Sequence, residues 1–213
     1  MTIKAVLLDL DGTIVNTNEL ILKSFDHTLN KLLGHCPSRE ELIKTFGKPL
    51  TEVFQEMAPE KANELLAEYQ NYQQSVDHSQ YIKLCPNVRE ALDRFKAMGL
   101  KIALVTSKRT LGAHQNLTQF DLFPYFSTLV TYESTEEHKP TGGPAKKALA
   151  DLGIAPHEAI MVGDSNLDIL CGKDAGTYTA AVSYSAFGKD FLLSFKPDYY
   201  IKDLLELADI LAK

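Results

Sequence analysis

Short apolar runs and stretches of helical periodicity alternate through most of the chain. The first run, at residues 5–10, is nearly continuous and favours a strand buried on both faces of a parallel sheet. Five further runs predict strands, at 101–105, 128–131, 159–162, 178–182 and 198–201. Helical patterns lie before, between and after them, at 87–98, after 108 through about 117, at 144–152, after 164 to 175, and at 203–212. Strands that alternate with helices imply a doubly wound parallel sheet with right-handed crossovers.

The chain between residues 16 and 80 shows no strand pattern. Apolar spacing predicts helices at about 17–33 and 60–74, and Ser38 with Glu41 has the form of a capping box that begins a short helix through Phe46. An all-helical block directly after the first strand indicates an inserted cap domain. We therefore expect an α/β fold with a Rossmann-like core formed by residues 1–15 and 83–213 and a helical cap at 16–82.

Composition and charge narrow the function classes. The 213 residues are 45% hydrophobic and 23% charged, as in ordinary soluble globular proteins. The net charge of -6 argues against a broad nucleic-acid surface. The absence of an apolar run long enough for a membrane span predicts no membrane partner and, by default, a cytoplasmic location. Three cysteines without a close pair indicate neither a disulfide framework nor a zinc site: Cys36, Cys85 and Cys171.

Two acids, Asp9 and Asp11, fall at the end of the first predicted strand and are followed by Gly12 and Thr13. Two positions apart on an extended chain, their side chains point to the same side, roughly 6 to 7 Å apart. Such carboxylates repel each other unless a cation or a proton offsets the charge, and Mg²⁺ prefers oxygen ligands of this kind. An acidic turn without a ligand remains the alternative. An EF-hand loop does not fit, because no acidic ligand series continues from Gly12.

Polar clusters follow three more predicted strands, and the carboxyl ends of parallel strands are where ligands bind in such folds. Thr106 and Ser107 suit either a phosphate site or a helix N-cap, and one helix terminus can serve as both. Lys139 would neutralise a phosphoryl oxygen, or it is simply a solvated lysine. Asp164 and Asp168 would complete a metal site, or they cap a helix.

These clusters resemble the four motifs of the haloacid dehalogenase superfamily in their order along the whole chain. Asp-Leu-Asp-Gly-Thr at 9–13 is similar to motif I, Thr106 to motif II, Lys139-Pro140 to motif III, and Gly163-Asp164 with Asp168 to motif IV. One departure is Thr141-Gly142-Gly143, which is more glycine-rich than is usual in relatives.

The resemblance implies a Mg²⁺-dependent phosphohydrolase. Asp9 would attack phosphorus to form an aspartyl-phosphate, which water hydrolyses, and Asp11 would act as general acid and base. Mg²⁺ would be held by Asp9, the backbone carbonyl of Asp11, and Asp164, with Asp168 orienting Asp164 or a bound water. Three residues would stabilise the phosphoryl charge: Thr106, Ser107 and Lys139. Dehalogenation is disfavoured, because it offers no leaving-group oxygen for Asp11 to protonate.

The identity of the small phosphorylated substrate depends on the cap, since the core motifs contact only the transferred phosphoryl group. Asn16-Thr17-Asn18-Glu19 and Gly47-Lys48-Pro49 resemble bacterial pyrophosphatases of the superfamily. We therefore expect inorganic pyrophosphate, with Asn18 and Lys48 as cap contacts and Lys48 binding the leaving phosphate, unless Lys48 is an ordinary exposed lysine. Residues 159–164 and 175–177 fit phosphoglycolate phosphatases equally well. A phosphatase for another small metabolite, a phosphomutase and a non-catalytic binding protein remain alternatives.

Overall fold

A six-stranded parallel sheet forms the centre of the protein, which a computed structural model describes over residues 2–213. Residue 1, the start of the predicted core, lies outside the described residues. The eight strands in chain order are β1 (Ala5–Leu8), β2 (Val15–Asn16), β3 (Lys83–Leu84), β4 (Lys101–Val105), β5 (Thr128–Val130), β6 (Ala159–Gly163), β7 (Tyr178–Val182) and β8 (Tyr199–Ile201). The large sheet has the order β5-β4-β1-β6-β7-β8, with every neighbouring pair parallel. The predicted doubly wound α/β fold is confirmed.

Helices cover both faces of this sheet. Within residues 2–213 the helices are α1 (Asn18–Leu33), α2 (Arg39–Ile43), α3 (Leu50–Met57), α4 (Ala62–Ser75), α5 (Val88–Ala97), α6 (Thr110–Gln119), α7 (Gly143–Leu152), α8 (Asn166–Ala175), α9 (Lys189–Ser194) and α10 (Leu204–Leu211), of which α5, α6 and α10 pack on one face of the sheet and α7 and α8 on the other. Short 3₁₀ turns lie at Pro59–Lys61, His78–Gln80, Phe123–Tyr125, Tyr132–Ser134 and Pro156–Glu158. None of the helices within residues 2–213 has both the length and the apolar character that a membrane crossing requires.

Strand β1 shows why the sheet lies between two helical layers. Val6 and Leu8 belong to the hydrophobic cluster that contains residues of α5, α6 and α10. Ala5 and Leu7 point the other way, into a cluster shared with α7 and α8. All four side chains are fully buried, as the alternation of side chains along a strand requires when both faces are covered.

Helices α1 to α4 share a third hydrophobic cluster. Three aromatic rings from α1, α3 and α4 lie at its centre, Phe25, Phe54 and Tyr69, and each pair meets edge to face with centroids 5.3 to 5.8 Å apart. We call the segment from α1 to α4 the helical region. Its separate core fits an inserted cap, although the predicted domain limits at 16–82 stay a prediction.

The chain enters and leaves the helical region through two short antiparallel strands. Val15 in β2 pairs with Leu84 in β3, and Asn16 pairs with Lys83. The predicted limits of several elements need correction: β1 ends at Leu8 instead of residue 10, and α2 spans only five residues before turns lead to Gly47. Helices α3 and α9, like the strand pair, were not predicted.

Candidate active site

Asp9 follows the last residue of β1 and lies at the carboxyl edge of the sheet. Its backbone N–H donates to the carbonyl of Val162 at 3.0 Å, which continues the pairing of β1 with β6. The side chain is buried, and Oδ1 accepts a hydrogen bond from Lys139 Nζ at 2.8 Å. The same ammonium donates to Oδ1 of Asp168 at 2.6 Å. One buried lysine therefore joins residues that are far apart in the sequence.

Asp9, Asp164 and Asp168 form a compact group of carboxylates. One oxygen of each lies within 4.8 Å of the others, and all three residues are buried. Asp168 is fixed in the first turn of α8, where Oδ2 accepts hydrogen bonds from the backbone N–H and the hydroxyl of Ser165 at 3.0 and 2.6 Å. The backbone carbonyl of Asp164 accepts a hydrogen bond from the Ser185 hydroxyl.

Two glycines, Gly12 and Gly163, have no side chain and so make room for the carboxylates of Asp164 and Asp168. Gly12 has φ +81°, and a Cβ there would lie 2.2 Å from Oδ2 of Asp164. At Gly163 a Cβ would lie 2.1 Å from Cγ of Asp168. Any side chain at either position would displace an acid of the group, so the backbone itself packs against the carboxylates.

Burial and mutual repulsion disfavour the charged form of these acids. Burial raises the pKa of Asp9 to about 7, although the Lys139 ammonium acts in the opposite direction. Burial and the charges of Asp168 and Asp9 raise the pKa of Asp164 well above its ordinary value. For Lys139, burial lowers the pKa, but Asp168 and Asp9 outweigh it and hold the pKa above its usual range.

This group fits a hard divalent cation. Three carboxylates lie together, and the one ammonium of Lys139 contacts two of them, Asp9 and Asp168, so the group holds more acids than cations in a buried place. The donors are oxygens, which Mg²⁺ prefers over nitrogen and sulfur. The predicted metal ligands Asp9 and Asp164 lie together here, and Asp168 joins them.

The carboxylate of Asp11 has different partners from that of Asp9. Oδ1 accepts a hydrogen bond from the Thr17 hydroxyl at 2.7 Å. Lys108 Nζ lies 2.9 Å from Oδ1 and 3.0 Å from Oδ2, so its ammonium contacts both oxygens. The turn at Gly12 directs the chain towards β2 and the helical region, and Asp11 lies where these segments meet the sheet edge.

Hydroxyl groups line the other side of the same edge. Thr106 is buried after β4, and its Oγ1 accepts a hydrogen bond from the backbone N–H of Lys108 at 3.1 Å. The hydroxyl of Ser107 is buried and has no hydrogen-bond partner within residues 2–213. A buried polar group of this kind is available to a ligand.

A cavity of about 360 Å³ lies between the sheet edge and the helical region. Asp9, Asp11, Thr106, Ser107 and Lys108 line it from the sheet side. The helical region contributes apolar residues, uncharged polar residues and one lysine, in the order Ile21, Phe25, Thr45, Phe46, Gly47, Lys48, Leu50, Thr51, Val53, Leu66, Tyr69, Gln70, Gln73 and Gln74. The side of the cavity formed by the sheet edge is thus charged, and the side formed by the helical region is largely uncharged.

A family model described as haloacid dehalogenase-like hydrolase matches residues 6–182. This chain belongs to the haloacid dehalogenase-like hydrolase family. The provisionally named pyrophosphatase PpaX of Clostridium perfringens is 42% identical over 211 residues, 99% of this chain and 98% of that protein. The pyrophosphatase PpaX of Halalkalibacterium halodurans is 38% identical over 210 residues, 99% of this chain and 97% of that protein.

Solved structures show the same fold. A protein from Lactobacillus plantarum, provisionally named a phosphoglycolate phosphatase, superposes with a TM-score of 0.88 at 21% identity and covers 99% of this chain and 100% of its own. At 21% identity, this similarity is evidence for the fold alone. The predicted membership of the haloacid dehalogenase-like family and the predicted hydrolase class are confirmed.

The two cap residues that we expected to contact substrate differ in their positions. Lys48 lines the cavity, but its Nζ binds both carboxylate oxygens of Glu56 at 3.0 and 2.8 Å. Asn18 is the first residue of α1, and its backbone N–H donates to the side chain of Asn16. Asn18 is not among the residues that line the cavity within the described chain.

Sequence reasoning missed Lys108 and Thr17, the two side chains that hold Asp11. The only available signal for Lys108 was its position directly after Thr106-Ser107. Nothing in the local pattern gives the direction of its side chain, because its partner Asp11 is 97 positions away in the sequence. The three cysteines lie outside the cavity lining: Cys36 is half-buried, and Cys85 and Cys171 are buried.

Proposed function

We propose that this protein is a Mg²⁺-dependent phosphohydrolase that cleaves inorganic pyrophosphate through an aspartyl-phosphate on Asp9. The observation that carries the proposal is the position of Asp9, which lines the cavity while its carboxylate contacts Lys139 and lies beside Asp164 and Asp168. Pyrophosphate as substrate is supported by the PpaX relatives, which match along nearly their full length.

The residues of the site have distinct roles in this reaction. Lys139 binds Oδ1 of Asp9, so the attack on phosphorus is assigned to the other oxygen. Asp11 donates a proton to the leaving phosphate and later takes one from the hydrolytic water. The hydroxyls of Thr106 and Ser107 bind oxygens of the transferring phosphoryl group.

The metal would be held by Asp9, Asp164 and the backbone carbonyl of Asp11. Asp168 would position the Lys139 ammonium and the neighbouring metal ligands. When bound, Mg²⁺ supplies the positive charge that lets a carboxylate approach an anionic phosphate. The raised pKa values of Asp9 and Asp164 support this assignment, because they reflect burial together with the repulsion of neighbouring carboxylates, which a bound cation would offset.

The proposal is tested by measuring kcat/KM side by side on pyrophosphate, 2-phosphoglycolate, nucleotides and sugar phosphates. We expect pyrophosphate to be preferred, activity to be lost in EDTA, and Asp9→Asn to be inactive with an unchanged fold. A tenfold preference for 2-phosphoglycolate would overturn the assignment of pyrophosphate as the substrate. Asp9→Asn activity within tenfold of wild type, in protein freed of contaminating phosphatase, would remove Asp9 from its role.

An organic phosphate monoester is the second candidate substrate. The cavity of about 360 Å³ lies in the range of pockets that hold whole small-molecule ligands, and much of its wall is apolar. A carbon-containing leaving group would contact residues such as Phe46 and Leu66, which pyrophosphate leaves unused. The panel above separates the two candidates directly.

A further inference from the structure

Lys108 lines the cavity, and the proposed reaction does not use its charge. Its side chain is 19% exposed, and its Nζ lies 2.9 and 3.0 Å from the two carboxylate oxygens of Asp11. The backbone is fixed on both sides, since its N–H donates to Thr106 Oγ1 and its carbonyl accepts from the N–H of Tyr132. The aliphatic stem lies over Gly112, where a Cβ would come within 3.0 Å of Lys108 Cε. The ammonium is therefore held in place from several directions.

The role of Asp11 determines what lies beside this ammonium. A general acid must reach the atom it protonates within hydrogen-bond distance, and for pyrophosphate that atom is the bridging oxygen. The leaving phosphorus is bonded to the same oxygen. The other oxygens of the leaving phosphate therefore lie next to the Asp11 carboxylate, within reach of a donor that contacts both of its oxygens.

We propose that Lys108 binds the leaving phosphate and selects substrates whose leaving group is itself a phosphate; this rests on the proposed function. An ammonium has three N–H donors, so Lys108 holds Asp11 and a phosphate oxygen at the same time. Without this contact the leaving dianion would lie beside a wall of the cavity whose one lysine, Lys48, is already paired with Glu56.

Two other cations that line the cavity, Lys48 and Arg109, have partners outside the reacting groups. Lys48 is 34% exposed and binds Glu56, and Arg109 binds Glu133 at 2.8 Å. Lys139 contacts Asp9, so it lies where the transferred phosphoryl group would bind and not at the leaving phosphate. Lys108 is the cavity-lining cation, among the described residues, whose partner is the proton donor.

The first test compares leaving groups in Lys108→Met, which keeps the stem over Gly112 and removes the charge. Pyrophosphate is compared with glycerol 2-phosphate, whose leaving group needs a proton from Asp11 but carries no charge. We expect kcat/KM for pyrophosphate to fall about 10- to 100-fold, the range of a charged hydrogen bond. The loss for glycerol 2-phosphate should be several-fold smaller, because there only the contact of Lys108 with Asp11 is removed. Lys108→Arg should recover part of the loss. Lys96→Met, whose Nζ binds the carbonyl of Pro124, is the matched control.

An equal loss on both substrates would overturn the proposal, because Lys108 would then act only by positioning Asp11. No loss on either substrate would also overturn it.

The second test measures binding without turnover. With Mg²⁺ present, Lys108→Met should weaken methylenediphosphonate about tenfold by calorimetry and leave orthophosphate unchanged, since only the diphosphonate carries a second anionic group. Equal weakening of both ligands, or of neither, contradicts the proposal. If wild type fails to hydrolyse pyrophosphate, the proposed function fails, and this binding comparison still decides the role of Lys108.

Discussion

The group of Asp9, Asp164 and Asp168 places more negative charge in the protein than Lys139 balances. Burial raises the pKa of Asp9 from 3.8 to about 7. Between these pH values the folded protein keeps a proton on Asp9 that the unfolded chain has lost. The free energy of unfolding therefore falls as pH rises through this window. The metal-free site is thus destabilising at neutral pH.

We predict that Asp9→Asn raises the Tm of the metal-free protein, measured by calorimetry in EDTA at pH 8. An amide carries no charge, so the destabilisation disappears, and a gain of at least about 2 °C is expected for a chain of this size. The gain should shrink at pH 5, where the folded wild type retains the proton. Asp11→Asn is the control, because its carboxylate faces the Lys108 ammonium and removing that charge should bring no gain. An Asp9→Asn protein no more stable than wild type at pH 8 would contradict this account.

The helices of the helical region hold together through their own aromatic residues. Phe25 of α1 contacts Phe54 of α3 and Tyr69 of α4 edge to face, and all three rings are buried. Such pairs add to the burial of their apolar surface. These three helices therefore depend on each other more than on the sheet.

We predict that Phe25→Ala costs about 3 to 5 kcal/mol of local stability, as large-to-small changes in cores do. Hydrogen exchange should show lost protection in α1, α3 and α4, whereas amides of β1 keep theirs. Phe95→Ala is the matched control, since Phe95 is fully buried in the cluster beside the sheet and its loss should expose β1 as well. Equal loss of protection in β1 with Phe25→Ala would show that the two cores unfold together.

Most of the elements that the sequence predicted are long enough to show a period. The exceptions are α2, which its capping box indicated, and β5 and β8, which are short apolar runs; α3 was missed although it has eight residues. β1 was recognised because its residues are apolar on both faces, and α1 because its apolar stripe extends over four turns. Strands β2 and β3 have two residues each, and α9 has six, which is too short for a periodic signal. The acid and lysine positions of the site were predictable, because each follows a strand whose end lies at the same sheet edge. The ammonium of Lys108 was not, since its contact with Asp11 forms only when the loop after β4 lies against the turn after β1.

The helical region contacts the sheet edge at a few defined points. Gly47, with φ +82°, lies so near α8 that a Cβ there would be 3.1 Å from Ser165 Oγ. Thr51 Oγ1 and the Tyr132 hydroxyl are 3.2 Å apart. Gly47, Thr51 and Tyr132 also line the cavity, so these contacts lie at its border, which suits a surface that closes and reopens.

We predict that the helical region acts as a lid that excludes water during reaction and opens to release product. With Mg²⁺ and methylenediphosphonate, hydrogen exchange should slow at residues 45–51 and at β2 and β3, while β6 and β7 stay unchanged. Tyr132→Phe, which removes one contact of the closed form, should reduce the protection at 45–51. Identical exchange with and without the ligand would indicate a rigid second domain instead.

The pairing of β2 with β3 bears on how the helical region can vary between members of the family. Because Val15 pairs with Leu84, the two points where the chain leaves and rejoins the sheet lie side by side. A segment whose ends are adjacent can be exchanged for another of different length without stretching the chain on either side. The pairing of β2 with β3 therefore allows the helical region to be replaced as one unit. Grafting the corresponding segment of another family member between Asn16 and Lys83 should transfer its substrate preference while the sheet edge keeps its own chemistry.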